Sequence, residues 1–339
     1  MIVINKPAGV PVHPAGRYNY NSIVEIMRAE RGHSFNPLPC NRLDRLTSGV
    51  MFIGKHAKAA EELSMQITAR TVRKEYLARV VGEFPEEEVV CDKPILQISP
   101  KLGLNRVRAN GKAARTVFKR LAYYPPSPSS SGTNTPASQD ELAQLEKLDP
   151  AAKAKFLEAR PWLTKKGYSI VRCLPVTGRT HQLRVHLQFL GHPIANDPIY
   201  CNQRVWGRSL GAGDFDASID SDEDVISRLS RMGKSEVADA VAYHDEMVDE
   251  YNRKKAEKMS GEVCEVCKTP LYTDPGAQEL GIWLHSLRYE DQDGRWRYKS
   301  PLPGWALPPD GKDGPTDVGD LEELLRKAAE AEREAGKVE

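Results

Sequence analysis

The segment Asn41-Arg42-Leu43-Asp44-Arg45-Leu46-Thr47-Ser48-Gly49 runs directly into Val50-Met51-Phe52-Ile53. Four successive apolar residues after the turn formers Thr47, Ser48 and Gly49 read as a strand entering a buried core. Asp44 therefore sits at the mouth of that strand, between Arg42 and Arg45. An ordinary surface loop spreads its charges apart, whereas this one concentrates them. Two readings fit: a catalytic or phosphate-facing loop, or a structural Arg-Asp ion pair at a strand entrance.

The bulk properties bound the alternatives. At 339 residues and 40% apolar content the chain has room for one large or two ordinary domains with a real core. No apolar run approaches the roughly 18 residues of a membrane-crossing helix, and the N-terminus has neither a secretory nor a transit-peptide plan. Six irregularly spread cysteines suit a reducing compartment, so cytoplasmic residence is expected, with mitochondria or the nucleus as alternatives.

A net charge of +1 argues superficially against a polyanionic partner. Its distribution argues otherwise. Residues 1–120 hold 20 Lys and Arg against 11 Asp and Glu, and residues 161–208 hold 7 against 1. The compensating acid lies in residues 209–258, with 7 against 13, and in residues 310–339, with 5 against 10. The body is thus basic, as a phosphate-binding surface requires.

Along the chain, Ile2-Val3-Ile4 opens as a strand, and Asn21 can cap a short helix through Ile23, Ile26 and Met27. Residues 56–70 place Ala60, Leu63 and Ile67 on one helical face, leading into a strand from Tyr76 to Val81. Residues 104–120 read as a strand pair broken by a hairpin turn at Asn110-Gly111. Residues 125–164 open on a Pro/Ser-rich tract that cannot build a core and read as an insertion between strands Lys112–Leu121 and Tyr168–Leu174. Residues 209–258 read as a second, acidic and part-helical insertion, exposed and mobile. Residues 310–339 form an acidic tail with a solvated helix about Leu321 to Ala335. The expected catalytic body is therefore 1–309, interrupted by 125–164 and 209–258.

Three further motifs accompany the Asp44 loop, in this order: Asn5-Lys6-Pro7-Ala8-Gly9, Lys74-Glu75-Tyr76-Leu77-Ala78, and Thr177-Gly178-Arg179-Thr180-His181-Gln182-Leu183-Arg184-Val185-His186-Leu187. Together the four resemble the signatures of the RluA family of RNA pseudouridine synthases. That family's loop reads His-Arg-Leu-Asp-Arg-x-Thr-Ser-Gly, with Asn41 here in place of His. The resemblance covers about 1–123, 165–208 and 260–309, where Leu280-Gly281-Ile282-Trp283-Leu284-His285-Ser286 is similar to the family's closing strand. Relatives usually carry a leading segment, so a shortened N-terminus is expected. Within the family, Asn5 to Tyr18 looks most like the fungal enzymes that modify position 32 of the tRNA anticodon loop.

The resemblance implies an α+β pseudouridine synthase fold: a mixed, mostly antiparallel sheet flanked by helices, with Asp44, Tyr76 and Arg184 meeting in a central basic cleft. It implies an RNA substrate, tRNA first, and a monomer. It implies an isomerisation that breaks a C–N glycosidic bond, turns the uracil and joins its C5 to the sugar, without metal or nucleotide cofactor. Asp44 would start the reaction, as nucleophile or as base, with Arg184 as its cation. Tyr76 would stack on the flipped uracil with its hydroxyl near C5, and Arg42 would fill the place the base leaves. Arg45, Arg179, Lys6, Arg73 and His181 are the remaining expected RNA contacts.

On the residues themselves, Leu183, Leu187 and Leu190 share one helical stripe while Thr180, His181, Arg184 and Gln188 share another, so Arg184 can face a site while its helix stays anchored. Cys264-Glu265-Val266-Cys267 is half of a tetrahedral zinc site with no second Cys pair, and reads as a reduced structural pair. A binding-only RNA chaperone would not need Asp44, Tyr76 and Arg184 together. A glycoside-cleaving hydrolase would need a second catalytic carboxylate in a motif, and none is evident.

Overall fold

The computed structural model describes residues 1–14, 18, 20–32, 34–126, 167–207, 209–218, 220–232, 259–263, 265, 270–272 and 280–335. Its first half comprises Ile2–Lys6 (β1), Ile23–Arg31 (α1), Leu38–Pro39 (β2), Ser48–Gly54 (β3), Ala57–Thr68 (α2), Val72–Val81 (β4), Val89–Cys91 (β5), Ile95–Ser99 (β6), Leu104–Val107 (β7) and Thr116–Tyr124 (β8). The second half comprises Tyr168–Pro175 (β9), Gln182–Phe189 (α3), Gln203–Trp206 (α4), Asp222–Met232 (α5), Met259–Val263 (β10), Pro270–Tyr272 (β11), Leu284–Asp291 (β12), Arg297–Lys299 (β13) and Val318–Ala335 (α6).

The main sheet runs β1-β3-β12-β4-β9-β8-β5, with β2 beside β3 and β13 beside β12. Its pairs are antiparallel except β3 with β12, which run parallel through His285 opposite Ser48 and Ser286 opposite Gly49. Gly49 is what allows that approach. Its φ is +113°, and a Cβ there would overlap the Ser286 carbonyl oxygen. The expected α+β architecture with a mostly antiparallel sheet is the one observed.

Strand alternation sorts β4 onto two faces. Ala78 and Val80 pack with Leu183 and Leu187 of α3, and Tyr76 lies against that cluster. Leu77, on the other face, packs with Leu287, Ala306 and Leu321. The expected stripe of α2 holds: Leu63 is buried, with Ala60 and Ile67 packed beside it.

Several expectations need correction. The cap of α1 is Ser22, whose hydroxyl accepts from the Glu25 amide, one residue beyond Asn21. Asn110-Gly111 turns the chain, but β7 pairs with β6 while β8 pairs with β9 and β5, so no hairpin forms. The glycine serves a crossing instead: Ile95 and Lys112 exchange backbone hydrogen bonds at 2.8 and 2.9 Å, and a Gly111 Cβ would stand 2.5 Å from the Ile95 carbonyl carbon.

The acidic stretch from 209 to 232 is not an exposed appendage. Val225 is fully buried with Tyr200, Val205 and Trp206, and Asp214 and Asp222 pair with Arg106 and Arg108 of the β7 segment. Two arginines that enter a core must carry their counter-charges with them. Nor is the C-terminal helix wholly solvated, because Leu321 in its first turn is 1% exposed beneath the sheet. Strands β8 and β9 pair out to Tyr124 opposite Tyr168, so the first insertion leaves and re-enters at one sheet end. Residues 127–166 and 233–258 themselves, and Cys264 and Cys267, lie outside the described residues.

Candidate active site

The Asp44 loop is fastened by its own carbonyls. Asp44 O accepts the Thr47 amide at 3.0 Å, closing a turn. Arg45 O accepts from Gly9 N at 2.8 Å and from Lys6 Nζ at 3.2 Å, and Leu46 O accepts from Ile282 N at 3.0 Å. Behind the loop, Ser48 Oγ meets His285 Nδ1 at 2.8 Å, and His285 Nε2 meets Ser300 Oγ at 2.7 Å. Burial pushes the His285 imidazole down to about 4, a bond to the Pro301 backbone opposing.

Lys6 is therefore not a phosphate contact. It is fully buried, and its ammonium donates to Pro7 O and Val10 O, both at 2.8 Å, as well as to Arg45 O. Burial lowers its pKa to about 8, with Asp44 opposing and Arg45 adding to the shift. Its three donors stitch the Asn5–Gly9 turn to the catalytic-type loop, which explains both motifs at once.

Arg184 approaches Asp44 from α3. Gln182 organises the preceding loop: its Oε1 accepts from Thr177 Oγ at 2.7 Å and Arg179 N at 3.0 Å, and its Nε2 donates to Arg115 O and Thr116 Oγ. His181 adopts φ +56° at the helix start, which turns its ring toward Asp44. The Arg184 side chain is 4% exposed, against 34% for Asp44, so only the carboxylate is open to a ligand. Arg184 NH1 donates to Asp44 Oδ2 at 3.2 Å.

The rest of that guanidinium belongs to Asp197, a residue the sequence reading missed. Arg184 Nε and NH2 donate to its two carboxylate oxygens at 2.6 and 3.0 Å, and the Ile199 and Tyr200 amides donate to Oδ1 at 2.9 Å each. Burial alone would raise the Asp197 pKa, but the Arg184 charge and these hydrogen bonds outweigh it and leave it lowered. A signal did exist: Asp197 is the one acid among residues 161–208, and it stands before Pro198.

His181 also comes close to Asp44. Tyr200 OH accepts from Asn105 N at 3.1 Å and lies 3.0 Å from His181 Nδ1, while His181 Nε2 lies 3.5 Å from Asp44 Oδ2. Burial and then Arg184 lower the His181 pKa, keeping the ring neutral, with Asp44 and Asp197 opposing. His181 thus faces the carboxylate and not a phosphate.

Tyr76 completes the group. It is partly buried, and Asp44 is close enough to add to the raised pKa of its hydroxyl, which burial and Tyr289 chiefly cause. That hydroxyl is 2.8 Å from Tyr289 OH. Tyr289 and His285, both on β12, escaped sequence reasoning because they sit more than 200 positions from the residues they touch. The remaining cations differ. Arg42 is exposed and carries no hydrogen bond or ion pair among the described residues. Arg45 stacks over Tyr18 at 5.0 Å, and Arg179 Nε donates to Ala113 O. Arg73 is exposed three positions before Tyr76, hence on the opposite sheet face, and does not join the site.

A carboxylate open to solvent, backed by a buried arginine and beside a tyrosine ring, fits the comparisons with known proteins. The profile of the family described as RNA pseudouridylate synthase matches residues 1–189. The Saccharomyces cerevisiae protein named tRNA pseudouridine(32) synthase, mitochondrial, is 41% identical, over 91% of this chain and 57% of its own. The human pseudouridylate synthase RPUSD2 is 34% identical, over 90% of this chain and 56% of its own. The tRNA pseudouridine(31) synthase of S. cerevisiae is 32% identical, over 90% and 67%. The chain spans little more than half the length of the first two. The matched span includes Asp44, Tyr76 and Arg184, and the similarity to these relatives extends over nine-tenths of the chain: it belongs to the RNA pseudouridylate synthase family, as an RluA-type member.

Proposed function

We propose that this chain isomerises uridine to pseudouridine in RNA, with position 32 of the tRNA anticodon loop as its target. The observation that carries the reading is the meeting of Asp44 from the β3 loop with Arg184 from α3, two motifs 140 positions apart. Asp44 acts on the nucleoside as nucleophile or base. Arg184 does not bind RNA in this reading, since Asp197 holds it; it orients the carboxylate by donating to it, with the His181 ring beside them. Tyr76 offers its ring to the uracil, and Arg42, exposed and without an ion pair among the described residues, fills the gap in the RNA stack. The tRNA assignment rests on the yeast relative at 41% identity. Because that relative is named as mitochondrial, mitochondrial tRNA is a substrate to test beside the cytoplasmic one.

The test is release of tritium from C5 of labelled uridine in tRNA transcripts. Asp44→Ala should abolish release while RNA binding persists, and retained turnover by that variant would refute the assignment. A transcript with cytidine at position 32 should release nothing above background, and undiminished release would move the target elsewhere.

A further inference from the structure

Asn41, the one position of the Asp44 loop motif that departs from the family pattern, lies in a hydrogen-bonded chain that ends on Tyr76. The orientation of its amide is fixed by the backbone: Phe52 N–H donates to Asn41 Oδ1 at 3.0 Å, which leaves Nδ2 as the group facing Tyr289 OH at 3.1 Å. Tyr289 OH is in turn 2.8 Å from Tyr76 OH. The Tyr289 ring is held at 2% exposure, edge-on to Phe52 at 5.2 Å and to Tyr76 at 6.4 Å, so its hydroxyl cannot swing elsewhere. Ser286 Oγ, beside both phenols, donates to Val50 O and so offers them only an acceptor.

We propose that Asn41 and Tyr289 are positioning residues for Tyr76: the Asn41 amide donates to Tyr289, whose hydroxyl gives its single proton to Tyr76, leaving the Tyr76 proton for an acceptor on the bound base. The inference rests on the proposed function, because it assigns Tyr76 to the uracil. It follows from the fixed end of the chain: an amide NH2 can only donate, so Asn41 takes one acceptor site of the Tyr289 oxygen, and the single Tyr289 proton has Tyr76 OH within 2.8 Å. Cys40, next to Asn41, and Asp44, which acts on Tyr76, are the other ionisable groups at the chain, and burial pushes the Cys40 thiol up.

Two nearly isosteric variants test the direction. Tyr289→Phe removes the link and should lower kcat about tenfold with KM within about twofold, the effect of one well-made hydrogen bond. Asn41→Asp keeps the acceptor for Phe52 N–H but reverses the chain, because a carboxylate accepts from Tyr289. Its kcat should be low at pH 8 and recover as pH falls through the new carboxyl's titration, an ionisation the wild type does not have. In the Tyr289→Phe background Asn41→Asp should cost nothing further. Wild-type kcat in folded single variants would overturn the proposal. So would an equal, pH-independent cost of Asn41→Asp in both backgrounds. The phenol carbon resonance of 13C-labelled Tyr76 gives a readout independent of turnover: in Asn41→Asp it should show a pH transition that the wild type lacks, and identical pH profiles would overturn the chain. Failure of the wild type to make pseudouridine would instead sink the function alone.

Discussion

Replacing Asp197 by Asn tests whether Arg184 is held by its partner or by its helix. Asp197 is 2% exposed and accepts four hydrogen bonds, two from Arg184 and two from backbone amides. An asparagine oxygen placed to keep the Ile199 and Tyr200 amides turns its NH2 toward Arg184 Nε, donor against donor, and the buried guanidinium loses its main counter-charge. Breaking one partner of a buried pair costs about 3–5 kcal/mol. At roughly 2–4 °C per kcal/mol for a domain of about 200 residues, Tm should fall by about 6–20 °C. Well below that temperature, a misaimed Arg184 should also lower kcat at least about tenfold. Differential scanning calorimetry and tritium release on the same preparation read both effects. A variant that melts within a degree of wild type at full turnover would show that Asp197 neither holds nor aims Arg184.

His285 predicts a pH dependence. Burial keeps its imidazole neutral down to about 4, whereas an unfolded histidine takes up its proton near 6.5. The unfolded state therefore binds more protons between those values, so the contribution is complete above pH 6.5 and is lost as pH falls toward 4. The loss should reach about 3 kcal/mol; urea unfolding of His285→Asn across that window should show a flatter slope, and an unchanged one would count against the buried neutral ring. Lys6→Met should lower Tm and leave the salt dependence of RNA binding unaltered, since Lys6 spends its donors on carbonyls. Arg42→Met should do the reverse, leaving Tm and reducing the salt slope by about 1; filter binding from low to high salt separates the two.

Much of the fold was legible because the local signals there agree. The apolar run after Gly49, the Ala60-Leu63-Ile67 stripe and the β8 and β9 segments flanking a Pro/Ser-rich tract each appear where periodicity and turn residues put them. Asp44 and Arg184 were legible through motif chemistry. The sequence misled where composition stood in for packing: Asp214 and Asp222 looked solvated because their counter-charges, Arg106 on β7 and Arg108 just after it, lie more than 100 positions earlier. Lys6 looked like a phosphate contact because a lysine's partners are invisible when they are backbone carbonyls. Tyr289 and Asn41 are separated by 248 positions, and no local pattern announces a bond of that span.

The parallel seam between β3 and β12 sets the order in which the molecule can be made. The strand that leaves the Asp44 loop needs Ser286 and His285 on its flank, and those residues are synthesised more than 230 positions later. Loop closure over such a span comes late and slowly. Until the chain has emerged through Asp291, Ser48 lacks its histidine, Leu46 O lacks Ile282 N and Tyr76 lacks Tyr289. A nascent or prematurely terminated chain can hold all four sequence motifs up to Leu187 and still have no assembled site, because β12 has yet to zip the first motif to the rest.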